Sequence, residues 1–300
     1  MRLICFGCLF FLIFGCTKEI NIELPMQDSK IVVNSLFTND APLSVYLTKT
    51  RTPFNEKELF IENARVIIYS ENITDTLQYM GEGIYMSSHL GLANSEYRID
   101  VISNGFEKVT ARDYIPKQMA LPLIVSGFRD SVGVNEHGDY YSQFTITFLD
   151  DANAKNNYEI FIKHLLFEDE VWDRGCFSND PIIVAEGLND YFPNTVVFSD
   201  AFISGKEKEL AINYYPVTYS KPTGGQGELV DPNYKVIVYF RNTSENYYKY
   251  KKKLAVHLAG QEFDFWAGSG EPVQMFSNVV GGYWIFAGYT ERIDTIQKLK

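Results

Sequence analysis

Cysteine is scarce in this chain of 300 residues, which has four, at positions 5, 8, 16 and 176. Three of them lie within the first 16 residues, so Cys176 is the only cysteine in the other 284 residues. Beyond residue 16 the chain therefore forms no disulfide within itself. The same scarcity leaves no cysteine pair that could hold zinc.

Basic residues are also in short supply, since 27 lysines and arginines stand against 38 acidic residues and give a formal net charge of −11. Nucleic-acid phosphates require a basic face, so the composition argues against a nucleic-acid-binding protein. With 46% hydrophobic and 22% charged residues, the chain can bury a core, which excludes intrinsic disorder. Its length is typical of about two domains.

Long hydrophobic runs are absent as well. The most apolar stretch, Leu3 to Phe14, spans about 18 Å as a helix at ~1.5 Å per residue, which is short of a ~30 Å hydrocarbon core. It follows Arg2 and precedes a small residue, the arrangement of a secretory signal peptide, which we assign to residues 1–15. A permanent transmembrane helix is therefore not expected.

The four residues at the end of this leader, Ile13-Phe14-Gly15-Cys16, resemble the lipobox of bacterial lipoproteins. In such proteins the cysteine receives lipid and becomes the first mature residue, although Phe14 is bulkier than the usual residue there. The alternative is an ordinary cleavage site followed by a chance cysteine. By resemblance to the usual sorting rule, Thr17 fits the outer membrane. Lys18-Glu19 resembles a surface-export signal, and the sequence is compatible with a location on the cell surface or on the periplasmic face of the membrane.

The remaining chain is predicted to be mainly β. Residues 16–30 are polar and read as a tether, and residues 31–116 contain short β-rich runs separated by turn signals. We predict an Ig-like or transthyretin-like antiparallel sandwich there. Asn63 to Pro116 also resembles a carboxypeptidase-regulatory module, in its Gly83-Ile84-Tyr85 turn and its Tyr97-Arg98-Ile99 strand. Prolines at 116 and 122 indicate a boundary, so residues 123–300 form a second antiparallel β-domain.

One segment of the second domain breaks the β pattern. Apolar side chains recur at helical spacing, at Tyr247, Tyr250, Leu254 and Leu258, and predict a helix near residues 244–258. Thr243 or Ser244 can cap its N-terminus. Lysines at 249 and 251–253 raise the hypothesis of a lipid- or phosphate-binding face, and a solvated helix face is the alternative that we favour.

No motif for catalysis is present. The histidines at 89, 137, 164 and 257 are scattered, and neither a zinc-protease nor a serine-hydrolase motif occurs. We therefore predict that the protein is not an enzyme and has no metal and no cofactor, although the fold could still assemble a triad. The acidic run from Glu168 to Asp173 is interpreted as a solvated loop, with calcium binding as the alternative.

Aromatic residues are the strongest indication of a binding surface. Several fall in or near predicted loops of the second domain, where rings can stack on sugars or peptides or anchor a protein partner. The alternative for each of them is closure of a β-core. The residues predicted to bind a ligand or partner are Trp172, Asp173, Tyr191, Tyr214, Tyr215 and Tyr219.

Several segments in the same order resemble a family of Bacteroidota lipoproteins known as domain of unknown function 4249. The resemblance implies an outer-membrane lipoprotein that partners a TonB-dependent receptor in nutrient uptake. A structural or adhesive envelope lipoprotein is the alternative. No catalytic residue is carried over, and we assign structural roles to Asp150, Asn157, Asn278 and Gly281-Gly282. The segments are Cys16 to Ile22, Leu24-Pro25, Ile31 to Asn34, Phe148 to Ala152, Asn157-Tyr158, Phe198 to Lys206, Asn246 to Tyr250, Glu271 to Val273, and Ser277 to Gly288, in which Tyr283-Trp284 replace a smaller pair.

Overall fold

The computed structural model describes residues 28–297 with gaps at 52–56, 72, 120–123, 167–169, 188–194, 217–218, 224–225, 231–233, 261–262, 265–267 and 270–272. The predicted signal peptide and most of the predicted tether lie outside the described residues.

The described chain is dominated by strands, which confirms the prediction of a mainly β protein. The first group of strands is β1 (Ile31–Thr38), β2 (Pro42–Lys49), β3 (Ala64–Tyr69), β4 (Thr74–Thr76), β5 (Gln78–Gly81), β6 (Ile84–Leu90), β7 (Ser95–Ser103) and β8 (Val109–Ile115). The second group is β9 (Ile124–Val134), β10 (Tyr140–Leu149), β11 (Asn157–Leu166), β12 (Glu170–Arg174), β13 (Cys176–Phe177), β14 (Val196–Ser199), β15 (Glu207–Tyr214), β16 (Tyr219–Thr223), β17 (Gln226–Val230), β18 (Tyr234–Thr243), β19 (Phe263–Asp264), β20 (Gly268–Ser269), β21 (Val279–Val280) and β22 (Tyr283–Gln297).

One large sheet runs through the molecule. Its nine strands follow the order β12-β11-β18-β22-β1-β2-β6-β5, with β14 also paired to β11. A five-stranded sheet, β21-β8-β7-β3-β4, packs with one end of it around a first hydrophobic core. A four-stranded sheet, β13-β15-β10-β9, packs with the other end around a second core. The predicted sandwich is confirmed, and the structure has two of them on one shared sheet.

The last strand, β22, belongs to both sandwiches. Its first half pairs in parallel with β1, from Val32↔Tyr283 to Thr38↔Tyr289. Its second half pairs antiparallel with β18, from Thr243↔Tyr289 to Lys235↔Gln297. The side chains of Val279 and Phe286 are buried in the first core. The structure thus differs from the predicted division at residues 116–123, because the first sandwich requires residues from the C-terminal end of the chain.

The predicted helix is confirmed and a shorter helix joins it. Helix α2 (Glu245–Ala259) begins after Ser244, whose hydroxyl accepts a hydrogen bond from the Tyr247 amide at 3.1 Å. Helix α1 (Pro181–Glu186) was not predicted from the sequence, and its cap is Asp180, which accepts from the Ile182 amide at 3.1 Å. One and a half turns are too few to show a helical hydrophobic period.

Helix α2 lies on the outer face of the large sheet, where Tyr247 and Tyr250 pack on Ile285 and Ala287. The solvated face that we favoured is confirmed for Lys249 and Lys253, which are exposed, but is wrong for Lys251 and Lys252. The Lys251 ammonium lies 2.8 Å from Glu159 Oε1, and the Lys252 ammonium lies 2.6 Å from Glu186 Oε2. These two positive charges are therefore already neutralised by the body of the protein and are not available to bind a lipid or a phosphate.

A buried charge cluster fixes α2 to the sheet. The Glu159 side chain has no solvent exposure, and its Oε2 accepts hydrogen bonds from Tyr247 Oη at 2.5 Å and Arg241 Nη1 at 3.3 Å. Arg241 also donates from Nε to Glu291 Oε2 at 2.6 Å. Burial would raise the pKa of Glu159, but the charges of Lys251 and Arg241 outweigh it and lower the pKa below its ordinary value. The cluster holds two acids and two bases, so its charges balance.

A second buried carboxylate joins three elements. Asp113 on β8 accepts hydrogen bonds at Oδ2 from the Gly288 amide at 3.0 Å and from the Ser244 hydroxyl, and at Oδ1 from Asn246 Nδ2 at 3.2 Å. Burial raises the pKa of Asp113 to about 6, against the opposing effect of these hydrogen bonds. This single side chain ties the five-stranded sheet to β22 and to the start of α2.

Removing the Glu159 charge should destabilise the fold strongly. In Glu159→Gln the buried cations of Arg241 and Lys251 lose their shared counterion, and breaking a buried pair in this way costs about 3–5 kcal/mol. Urea unfolding followed by circular dichroism measures the change. Glu245→Gln is the matched control, because Glu245 pairs with Lys249 at the surface, where such pairs contribute about 0–1 kcal/mol. Equal effects of the two variants would contradict the assigned role.

The stability contributed by Asp113 should depend on pH. Because the pKa is about 6 in the folded protein and 3.8 ordinarily, the folded state holds more protons than the unfolded state between these values. Stability then falls as the pH rises through this window, by up to about 3 kcal/mol. In Asp113→Asn this loss should be absent, so the variant gains on the wild type between pH 4 and pH 7 in unfolding experiments. The control is Asp28→Asn, at an exposed position, which should follow the wild-type profile.

Candidate ligand groove

A groove of about 690 Å³ lies on the outer face of the large sheet, beside the region covered by α2. Its floor is built by outward-facing residues of two neighbouring strands, Val32 and Asn34 on β1 and Tyr46 and Thr48 on β2. The residues between them in sequence point the other way into the first core, because strand residues alternate between faces. The groove floor is therefore the back of the first sandwich.

Two chain segments form the walls of the groove. Glu58 and Leu59 stand on one side, and the segment from Gln274 to Ser277 stands on the other, with Tyr283 and Trp284 at the start of β22. Four aromatic side chains thus line one concave surface: Tyr46, Phe276, Tyr283 and Trp284. A concave, largely apolar surface with a few polar groups is the usual form of a ligand site.

The backbone at Trp284 turns its side chain toward the groove. Strand alternation would place Trp284 with Phe286 in the first core, yet its indole packs with Ile285 and Ala287 on the outer face. The cause is its φ of 83°, which interrupts the alternation in the way that a β-bulge re-aims a side chain. A bulky residue in this region costs about 1–3 kcal/mol, and such strain is concentrated at functional sites.

The polar groups of the groove carry both charges. The Tyr46 hydroxyl donates to Glu58 Oε2, and burial, together with the negative charge of Glu58, raises the pKa of Tyr46 to about 12. Lys49 and Arg51 lie on the same surface. The phenol therefore stays protonated at any physiological pH, and its ring is fixed in place by its hydroxyl.

The described chain enters the fold next to the groove. Ser29 Oγ donates to the Thr50 carbonyl at 3.0 Å, and the Lys30 amide donates to Thr50 Oγ1 at 3.0 Å. Thr50 itself lines the groove. The groove consequently lies at the end of the molecule where the predicted tether meets the first strand.

The aromatic residues that the sequence singled out lie elsewhere, and one of them is a core residue. Tyr214 ends β15 and is fully buried, with its ring 5.9 Å from Phe144 and 5.3 Å from His164. This corrects its assignment as a loop aromatic that meets a ligand. Its place follows from β15, in which the inward positions before it, Leu210 and Ile212, fill the same core.

The neighbouring residue, Tyr215, joins a different cluster at the end of the second sandwich. Its ring lies 5.7 Å from Phe177 and 6.5 Å from Tyr141, and its hydroxyl accepts from Asn135 Nδ2 at 3.3 Å. Tyr214, the last residue of β15, and Tyr215, which follows it, therefore contact different sets of aromatic residues. They do not form one binding surface.

The other predicted binding residues are dispersed. Trp172 on β12 is half-buried against the second core, and the Asp173 carboxylate is exposed, 3.2 Å from the Lys163 ammonium. Tyr219 lies in β16, opposite Val230. Tyr191 and part of the acidic run at 168–173 lie outside the described residues. Within the described part of the chain no group of three metal-binding side chains occurs, and no helix is long and apolar enough to cross a membrane.

The structural roles assigned to Asp150, Asn278 and Gly281 are confirmed, whereas Asn157 begins β11 and its buried amide nitrogen has no hydrogen-bond partner among the described residues. Asp150 Oδ2 accepts from the Gly205 amide at 2.8 Å. Asn278 bonds both backbone groups of Phe286, donating to its carbonyl at 2.7 Å and accepting from its amide at 3.0 Å. Gly281 has a φ of 80°. Gly282 is required for another reason, since a Cβ there would lie 2.6 Å from the Ile31 carbonyl oxygen.

The fold defines a β protein of two sandwiches that share one sheet, and the groove on the outer face of that sheet is lined by aromatic residues. The chain belongs to the family described as Domain of unknown function (DUF4249), whose sequence profile matches residues 17–294. No curated protein matches the sequence. Among solved structures, a DUF4785 family protein from Legionella pneumophila is similar over 73% of this chain at 8% identity, with a TM-score of 0.21. The chain spans about half of that protein, covering 53% of it.

The backbone at Trp284 should reverse the usual ranking of alanine and glycine. A protein with glycine at a strand position is ordinarily less stable than one with alanine there, by about 0.5–1 kcal/mol. Glycine, however, adopts a positive φ without strain, and alanine does not. Trp284→Gly should therefore be more stable than Trp284→Ala, by about 1 kcal/mol in chemical unfolding. The pair Tyr283→Gly and Tyr283→Ala, at a position without a positive φ, should rank the other way. The same ranking at both positions would contradict the assigned backbone.

Proposed function

We propose that this protein is an outer-membrane lipoprotein that captures a ligand in the aromatic groove and works beside a TonB-dependent receptor in nutrient uptake. The observation that carries the proposal is the concentration of Tyr46, Phe276, Tyr283 and Trp284 on one concave surface. A capture site needs this form, since aromatic rings supply large contact areas at small entropic cost.

The position of the groove suits a membrane partner. If Cys16 carries the lipid, the chain from residue 16 to residue 28 reaches at most about 40 Å at ~3.3–3.6 Å per residue. The groove lies at the end where this segment joins the fold. A ligand held there would stay within a short distance of an outer-membrane receptor.

The rigidity of the body supports the same role. The Asn242 side chain forms hydrogen bonds at the junction between the two sandwiches. Its Nδ2 donates to the Lys117 carbonyl at 3.1 Å and to Asn156 Oδ1 at 3.3 Å. All three residues border a further cavity of about 350 Å³ at this junction. A body braced in this way can hold a ligand in a fixed orientation toward a partner.

A structural or adhesive lipoprotein is the second candidate, and one surface favours it. Tyr79, Met80 and Ile84 are exposed together on the β5–β6 hairpin, with Met80 at 60%. Exposed apolar groups of this kind mark contacts with other proteins. Deleting the gene should reduce uptake under the first proposal, and under the second should reduce attachment or envelope integrity with uptake intact.

The anchor should depend on a single cysteine. Cys16→Ala should abolish incorporation of an alkyne-labelled fatty acid and release the protein from sedimented outer membranes. The control is Cys8→Ala, which lies within the predicted leader and should leave both readouts unchanged. Retained label in Cys16→Ala would refute the lipid anchor. Affinity purification of the anchored wild type from gently solubilised membranes, with identification of the bound proteins, tests the receptor partnership.

A further inference from the structure

We propose that the groove binds a neutral oligosaccharide, held by stacking on its aromatic rings and by side-chain hydrogen bonds. This inference rests on the proposed capture function and names the chemical class of the ligand. Four properties of the groove support this class of ligand: its rings, its polar side chains, the pairing of the strands below it and its charges.

The rings offer faces to which flat, weakly polar surfaces can pack. Tyr283 is 46% exposed, and Trp284 beside it is held against Tyr250 with 5.9 Å between ring centroids. Tyr46 is fixed by its bond to Glu58 and by the edge of Phe60 at 6.1 Å. The C–H faces of sugar rings are apolar while their edges carry hydroxyl groups, so they match rings surrounded by polar groups.

The polar side chains of the groove both donate and accept. Asn34 is exposed on the floor opposite Tyr46, Thr48 lies on the same strand as Tyr46 opposite Val32, and Gln274 and Ser277 stand on one wall. Amides and hydroxyls provide both functions at each position, as sugar hydroxyls require. An acyl chain or another apolar ligand would cover these groups without satisfying them, which costs about 1–3 kcal/mol for each group.

The strands below the groove argue against an extended peptide. Strand β1 is paired on one side with β22 and on the other with β2, and β2 is paired in turn with β6. The floor therefore offers no free edge to which a peptide could add as a further strand. A sugar needs no such edge, because it has no amide backbone.

The groove is lined by charges of both signs, so it presents no strong field of one sign that would select a highly charged ligand. Lys49 and Arg51 contribute positive charge, whereas Glu58 contributes a carboxylate that is already bonded to Tyr46. A phosphate-rich or polyanionic ligand would meet this carboxylate. A neutral ligand can accept a hydrogen bond from Lys49 and donate one to Glu58.

Affinity electrophoresis tests the proposal directly. The detergent-solubilised full-length protein is run in native gels containing one neutral polysaccharide each: starch, xyloglucan, mixed-linkage glucan, galactan or mannan. We expect at least one of them to retard the wild type. Tyr283→Ala and Asn34→Ala should each weaken that retardation about tenfold in apparent affinity. Both positions are exposed, so these variants spare the core.

The control variant is Tyr140→Ala, an aromatic 62% exposed on the second sandwich, which should bind as the wild type does. If the wild type is retarded in none of the five gels, the proposal is overturned. The proposal would also be overturned if both groove variants were retarded as strongly as the wild type. The same conclusion would follow if casein peptides competed for the groove and the sugars did not. Failure of the receptor partnership is separate, since sugar binding in the gel requires no receptor.

Discussion

The pairing of β22 with both β1 and β18 is the constraint on which the rest of the structure depends. Its first half completes the first sandwich and its second half completes the second, so one continuous sheet replaces a flexible linker. Helix α2 can then lie on a single surface, and Asp113 can reach both the helix cap and Gly288. The groove exists because α2 covers only part of that surface and leaves the face of β1 and β2 open.

The buried charges show how the helix is held in register on this sheet. Arg241 lies between the rings of Phe161 and Tyr289, 4.5 Å and 4.2 Å from their centroids, and reaches both Glu159 and Glu291. Hydrophobic packing of Tyr247 and Tyr250 tolerates small shifts, whereas a buried ion pair with fixed hydrogen-bond geometry does not. The polar cluster therefore gives α2 one position along the sheet, and with it one position of the Trp284 ring that packs on Tyr250.

Much of the fold could be predicted from the sequence because its signals are local. Alternation in the first strands, the cap at Ser244 and the spacing of Tyr247, Tyr250 and Leu254 depend on neighbours within a few residues. The parallel pairing of β1 with β22 could not be predicted, since it joins segments about as far apart as the chain allows. The ion pairs of Lys251 and Lys252 could not be predicted either, because their partners, Glu159 and Glu186, lie on β11 and α1, outside the helical pattern.

The groove was missed for a similar reason. Tyr46 and Trp284 are brought together only by the long-range pairing of their strands, and a loop aromatic such as Tyr214 has the same appearance in sequence as a core residue. One local signal did exist, the two aromatics that follow Gly281 and Gly282. Strand alternation alone would have divided these two residues between the two faces of the sheet.

The parallel pairing of β1 with β22 also determines when the first sandwich can fold. The first strand to be synthesised must wait for the last one, because Phe286 fills the same core as Phe37. For an exported chain, the N-terminal end would cross the membrane long before its sheet partner. The first sandwich therefore stays incomplete until β22 has been synthesised. A chain without β22 would lack the strand that joins β1 to β18, so its two sandwiches would no longer share one sheet and the first core would lose Phe286.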